Sequence, residues 1–260
     1  LLALLLCGLS LPVLAGDPVA ELTDPEGDDD GDDDLVYPSQ GFAPGDLDAL
    51  GLTVENDGDH AVFTVEFADR IAQPGRGARD ELGTDFTRIA RHGFYQFNVD
   101  VYLDTDRRPG SGFTRLLPGR LAQVAPDDAW DLAVVGVPRP MVIGGILRGA
   151  VESEEEAFAE LGVPGADPER ARSLAAAIDR ATYLPRDLRV RGKRLEMRVP
   201  QAILGGPAQD TWGYTVVVTG ADLQASLELM SATGLASQTN TNLGALPISP
   251  GEAWTHRFGG

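Results

Sequence analysis

Tyr95 to Leu103 reads YQFNVDVYL. Tyr95, Phe97, Val99, Val101 and Leu103 fall on one side of a period-two ladder, with Gln96, Asn98, Asp100 and Tyr102 on the other. That alternation is the mark of a strand with one face in a core and the other outward. The strand runs straight into Asp104-Thr105-Asp106 and then Arg107 to Gly112 (RRPGSG), a turn with carboxylates at its mouth.

Working outward, the same period recurs on both sides. Leu52 to Glu55 alternates, Asn56 to Asp59 supplies a turn with Gly58 where a positive φ is needed, and Ala61 to Phe67 (AVFTVEF) alternates again, so these residues predict a β-hairpin. Trp130 to Val137 (WDLAVVGV) predicts a short apolar strand. Leu188 to Val190 and Leu195 to Val199 flank Arg191-Gly192-Lys193 as a second hairpin, and Tyr214 to Val218 is a further strand. Gln73 to Asp85 reads as a loop. Between about residues 140 and 183 helical spacing replaces alternation. Asp167 fits an N-cap and Pro168 the first helical position, while Ala171, Leu174, Ala175, Ile178 and Ala181 share a face; a shorter helix is expected from Ser153 to Leu161. Short strands without a βαβ alternation predict a mainly β chain, an antiparallel β-sandwich of jelly-roll type with a helical insertion laid over it.

The chain has 260 residues, 43% of them hydrophobic, enough for a core of ordinary size in one domain over residues 16–260. It opens on LLALLLCGLSLPVLAGDP, which reads as the apolar part of a signal peptide without its basic start, cleaved after Ala15. Fifteen residues are too few to span a bilayer as a helix. A lipoprotein anchor on Cys7 is the lesser alternative, because the Leu6 before it is bulkier than the small residue usual there. Cleavage would remove Cys7, the sole cysteine, so no disulfide is expected. The expected address is secreted, extracellular or cell-surface, with the periplasm as an alternative.

The formal net charge is -19. Ten of the carboxylates lie between Asp17 and Asp34, where there is no Lys or Arg, within an N-terminal loop assigned to residues 17–38. Excess acid repels a phosphate backbone, so nucleic acid is not an expected partner. The run DPEGDDDGDDD from Asp24 offers oxygens at close spacing, with Gly27 and Gly31 to bend the backbone around an ion. Calcium is a candidate cofactor, held by some of Asp24, Asp28, Asp29 and Asp30 with Asp48 or Asp104 arriving from the sheet, although acidity alone does not decide for it. The spacing is not that of an EF-hand. A solvated acidic tail is the plainer alternative.

Several blocks taken together resemble one family. They are Asp24 to Gly31 followed by Tyr37-Pro38, Phe42 to Asp48 (FAPGDLD), Gln96 to Asp106 (QFNVDVYLDTD), Ala125 to Asp131 (APDDAWD), Val199-Pro200 with Trp212-Gly213-Tyr214, and Trp254 to Gly260 (WTHRFGG). The family is the C-terminal domain of glucodextranase and its relatives in exported amylolytic and surface-layer-associated proteins. It is similar to the DOMON and family-nine carbohydrate-binding module sandwiches. Asp32 and Asp33 depart from it, standing where the family tends to carry Pro-Gly, and the stretch from Pro140 to Tyr183 is longer and more helical. The resemblance implies a non-catalytic module that binds polysaccharide or cell-envelope glycan, with a glycoside hydrolase as companion. It is also what favours calcium in the acidic run over a solvated tail.

Glycan sites on sandwiches need flat aromatic faces with polar groups beside them. Trp130, Trp212, Tyr214 and Trp254 are the candidates, against the alternative that a tryptophan next to a strand is a core anchor. Two further classes compete with glycan binding. One is a structural surface-layer or envelope domain that recognises protein partners. The other is a haem-binding DOMON-type redox subunit, for which the ligands would come from His60, His92, His256, Met141, Met197 and Met230. Catalysis is not expected: the chain has no GxSxG, HExxH or Walker loop.

Overall fold

A computed structural model describes residues 17–27, 43, 45–73, 92–95, 97–118, 120, 123–138, 140, 147 and 168–220. Its strands are β1 (Ala20–Thr23), β2 (Ala49–Asp57), β3 (His60–Phe67), β4 (Phe97–Asp104), β5 (Leu132–Gly136), β6 (Thr182–Tyr183), β7 (Asp187–Arg191), β8 (Arg194–Pro200) and β9 (Gly213–Gly220). Helix α1 spans Pro168–Ala181 and the one-turn helix α2 spans Gln201–Leu204. One sheet has the order β1-β2-β3-β8-β7 and the other β6-β5-β4-β9. All pairings are antiparallel except that of β5 with β6.

The period-two residues explain the packing. Val54, Phe63, Val65, Leu195, Met197 and Val199 from the first sheet meet Phe97, Val99, Val101, Leu103, Val134 and Val216 from the second in one apolar cluster. Burying each such side chain is worth about 1.5–3 kcal/mol. Phe67 and Phe97 meet across the sheets at 4.8 Å between ring centroids. The β2–β3 hairpin turns as expected, pairing Asp57 with His60 and leaving Gly58 at φ 61°.

Two things differ from the expected pattern. First, the N-terminal loop assigned to residues 17–38 contains a strand: β1 pairs Leu22 with Leu52 and extends the first sheet. Second, β4 is buried along its whole length, so the face bearing Asn98, Asp100 and Tyr102 does not meet water. Leu116, Leu117 and Val124 of the following loop, together with Leu147, Trp130 and the end of α1 at Ile178 and Ala181, form a second apolar cluster over that face. The helix does lie over the sandwich, and Ala175 and Ala181 of its predicted apolar face are buried. The expected helix at Ser153–Leu161 falls outside the described residues.

Candidate functional site: a carboxylate cluster at the end of β4

Pairing of Leu103 with Leu132 brings the end of β4 beside the start of β5, so Asp104 and Asp131 meet although far apart in sequence. Asp106 joins them from the turn. One oxygen from each of Asp104, Asp106 and Asp131 lies within 4.8 Å of the others. At that spacing two like charges repel by about 1 kcal/mol in water and by about 3–4 kcal/mol at the effective dielectric of a protein surface.

The turn is rigidly tied. Asp104 Oδ1 accepts the Arg107 N–H at 2.6 Å, Asp106 Oδ1 accepts the Arg108 N–H at 2.9 Å, and the Ser111 hydroxyl donates to Asp106 Oδ2 at 3.0 Å. Asp131 Oδ2 accepts both the Thr105 N–H at 2.8 Å and its hydroxyl at 2.7 Å. Arg107 takes a φ of 52°, unusual for a residue with a side chain. Gly112, at φ 86°, has no room for a side chain: a Cβ there would stand 2.5 Å from the Trp130 carbonyl oxygen and 3.0 Å from Asp131 Oδ1.

Asp104 is 4% exposed, and its Oδ2 is buried with no hydrogen-bond partner among the described residues. Burial pushes its carboxyl above the usual carboxylate range, the Asp131 charge adds to this, and the N–H groups of Arg107 and Asp106 oppose it. Two arginines of the turn supply counter-charge: Arg108 Nη1 lies 4.0 Å from Asp106 Oδ2, and a Cβ added at Gly213 would meet both Arg107 Nη1 and the Asp104 Cβ.

The other candidate ligands lie elsewhere. Asp48 precedes β2 and is 2% exposed; its Oδ2 accepts the Gly27 N–H at 2.7 Å, and the Asp24 N–H donates to the Leu50 carbonyl. The described beginning of the acidic run is thus brought to Asp48. Asp28, Asp29 and Asp30 lie outside the described residues. Asp104 is not at that end: Ala49 pairs with Phe67, which packs on Phe97, and from Phe97 to Asp104 strand β4 rises roughly 23 Å. Asp48 and Asp104 therefore stand at opposite ends of the sandwich and do not share one ion.

Of the candidate aromatic rings, Trp130 is 1% exposed, packs against Phe113 and Tyr102, and donates from Nε1 to the Arg115 carbonyl at 3.0 Å. It is a core anchor with no free face. Tyr214 lies in the inter-sheet core, and its hydroxyl donates to the Gln209 carbonyl at 2.7 Å; burial pushes that phenol up to about 12. Trp212 is half-buried at the end of the sandwich where Gly213 pairs with Asp104. Trp254 lies outside the described residues, as do Met141, Met230 and His256. Met197 is fully buried between the sheets, where its Sδ crowds Gly136; His60 Nδ1 lies 2.5 Å from Asp59 Oδ1.

Sequence reading missed one polar group entirely. Arg120, fully buried in the loop over β4, grips Asp100 with two hydrogen bonds, Nε to Oδ2 at 2.6 Å and Nη2 to Oδ1 at 2.9 Å. The Tyr102 hydroxyl donates to Asp100 Oδ2 at 3.0 Å and accepts the Leu117 N–H at 3.2 Å. Burial alone would lower the Arg120 pKa, but the Asp100 charge more than offsets it, so the guanidinium stays protonated. Burial, reinforced by the Asp100 charge, pushes the Tyr102 phenol well above its ordinary value. This network is saturated and closed to solvent, and it holds the covering loop on the sheet.

Fold and site together define a two-sheet module whose exposed chemistry sits at strand ends. The chain belongs to the family described as the C-terminal binding module, SLH-like, of glucodextranase, whose model matches residues 19–250. No curated protein matches the chain. Among the described residues no helix is long and apolar enough to cross a membrane.

Proposed function

We propose that this chain is an exported, non-catalytic module that binds polysaccharide or cell-envelope glycan, with calcium steadying its acidic N-terminal end. The family match is consistent with a binding module. The apolar opening from Leu1 to Ala15 supports export. For calcium, the support is the run of aspartates that begins beside the buried Asp48 carboxylate.

The observation that carries the glycan reading is the placement of Trp212. Trp130 and Tyr214 are committed to the interior, whereas Trp212 keeps part of its surface in water at an end rich in carboxylates. Trp212 packs in part against the core, and an indole left partly exposed at such an end can offer a sugar ring an apolar surface for its C–H groups, with polar groups for its hydroxyls. The test is retention on insoluble α-glucans, β-glucans and purified cell wall. Wild-type protein is expected to be retained on at least one of them and Trp212→Ala to bind about tenfold more weakly, the scale of one lost stacking contact. Failure of wild type on every glycan, or equal retention of Trp212→Ala, overturns the reading.

A further inference from the structure

We infer that Asp104, Asp106 and Asp131 form a second cation site, separate from the acidic N-terminal run, that takes a hard divalent ion of the calcium class. Three observations carry it. The three carboxylates present one oxygen each within 4.8 Å of one another, a spacing that a shared oxygen-coordinated ion satisfies. Asp104 is 96% buried, and its Oδ2 has no hydrogen-bond partner among the described residues, leaving a desolvated carboxylate oxygen uncompensated. Finally, the hydrogen bonds of the turn leave coordinating capacity at two of the three: Arg107 binds Asp104 through Oδ1 and Thr105 binds Asp131 through Oδ2, so the second oxygen of each is not used by those donors, whereas both Asp106 oxygens already accept one bond each and would ligate through a remaining lone pair.

The donor set chooses the ion. All three side chains offer oxygen alone, which suits calcium and disfavours zinc or copper, whose sites favour nitrogen and sulfur. Three formal negative charges against two positive ones leave one negative charge, which Arg107 beside Asp104 and Arg108, with its Nη1 4.0 Å from Asp106 Oδ2, together offset. The turn does not need the ion in order to form, because its own N–H and hydroxyl donors already close it. The ion instead relieves the mutual repulsion of the carboxylates and fixes the end of β4 to the start of β5, beside Trp212. The inference does not depend on glycan binding, and its test is made without glycan.

The experiment is a titration of chelator-treated full chain with calcium and, as an optical reporter, terbium, whose emission Trp130 and Trp212 are placed to sensitise. Asp106→Asn and Asp131→Asn are compared with Asp48→Asn, all checked for an intact melting transition. Asp106 is exposed, so its substitution spares the core. Expected is a tenfold or greater loss of affinity for this site in Asp106→Asn and Asp131→Asn, with the terbium signal retained in Asp48→Asn. Arg107→Gln, which removes one of the two positive charges beside the carboxylates and leaves every ligand in place, is expected to bind several-fold more tightly. A signal abolished by Asp48→Asn yet unchanged in Asp106→Asn would place the ion at the other end and overturn the inference. So would absence of calcium-dependent signal in the wild type, or an Arg107→Gln protein with unaltered affinity.

Discussion

Asp100 and Asp104 sit on the same strand, four residues apart, and both are buried. Asp100 meets a two-pronged guanidinium and a phenol, each itself buried and bonded in turn. Asp104 meets backbone N–H on one oxygen and no hydrogen-bond partner on the other among the described residues. A carboxylate removed from water is tolerated when its charge and its lone pairs are both answered, and becomes a liability when they are not. The comparison teaches that position on the strand decides the outcome. In the middle of β4 the covering loop can bring an arginine down onto the sheet; at its end, the turn supplies N–H groups and more carboxylates.

The largest effect is expected where saturation is broken. Arg120→Met strands the Asp100 carboxylate in an apolar layer, at a cost of about 3–5 kcal/mol. Urea unfolding should show it as a lower midpoint. Changing Asp100→Asn in the same protein removes the stranded charge while keeping an acceptor for the Tyr102 hydroxyl, and should restore most of the loss. A double variant as unstable as the single one would mean that loss of packing by the arginine stem, and not the buried charge, sets the cost.

A smaller effect of opposite sign belongs to the other carboxylate. In chelator, Asp104→Asn removes a poorly satisfied buried charge and is expected to stabilise the protein by about 1 kcal/mol. The sign with pH follows from burial. The native carboxyl holds its proton to higher pH than the unfolded chain does, so wild-type stability falls as pH rises from the ordinary carboxylate value through the raised one. The Asn variant should lack that slope. With calcium at a hundred times its dissociation constant the order reverses, because wild type gains about 2.7 kcal/mol that the variant forgoes. Melting curves with and without calcium read both signs.

How much of this was legible in the sequence follows the same division. The hairpin from β2 to β3 and the apolar side of β4 were plain because alternation over eight residues has one physical meaning, and Gly58 marks the turn. Strand β1 was hidden: four residues, two of them polar, lie just before a run of aspartates whose charge dominates the reading. The alternation in β4 predicts that its polar side faces water, since polarity there normally means exposure. The cover comes from a non-periodic loop, and no local pattern says that the arginine ending LLPGR will descend 20 residues back onto Asp100. The only hint was an aspartate amid valines and a tyrosine. The carboxylate cluster was half visible. DTD before a glycine turn and WD before the next strand were both in view, but their meeting depends on the register that places Leu103 opposite Leu132, and register is a property of the pair.

At neutral pH the smallest effect belongs to the tyrosines, which decide which of the two regions yields first in alkali. Tyr102 feeds the Asp100 pair, and burial together with that charge keeps its phenol protonated far above the ordinary range. Tyr214, near the Asp104 end, has only a backbone carbonyl as acceptor, and its phenol is pushed up to about 12. Both shifts are upward, so the native state keeps protons that the unfolded chain has released. Stability therefore falls with rising pH, beginning near the ordinary tyrosine value of about 10. For Tyr214 the fall should be complete by about 12, where the native phenol also ionises. Tyr214→Phe keeps the ring in the inter-sheet core and removes the proton. Its urea midpoint should lie slightly below that of wild type at neutral pH, for want of one hydrogen bond, and should decline less steeply between pH 10 and pH 12. An identical decline in the two proteins would move the alkaline weakness away from this end and onto the Tyr102 network.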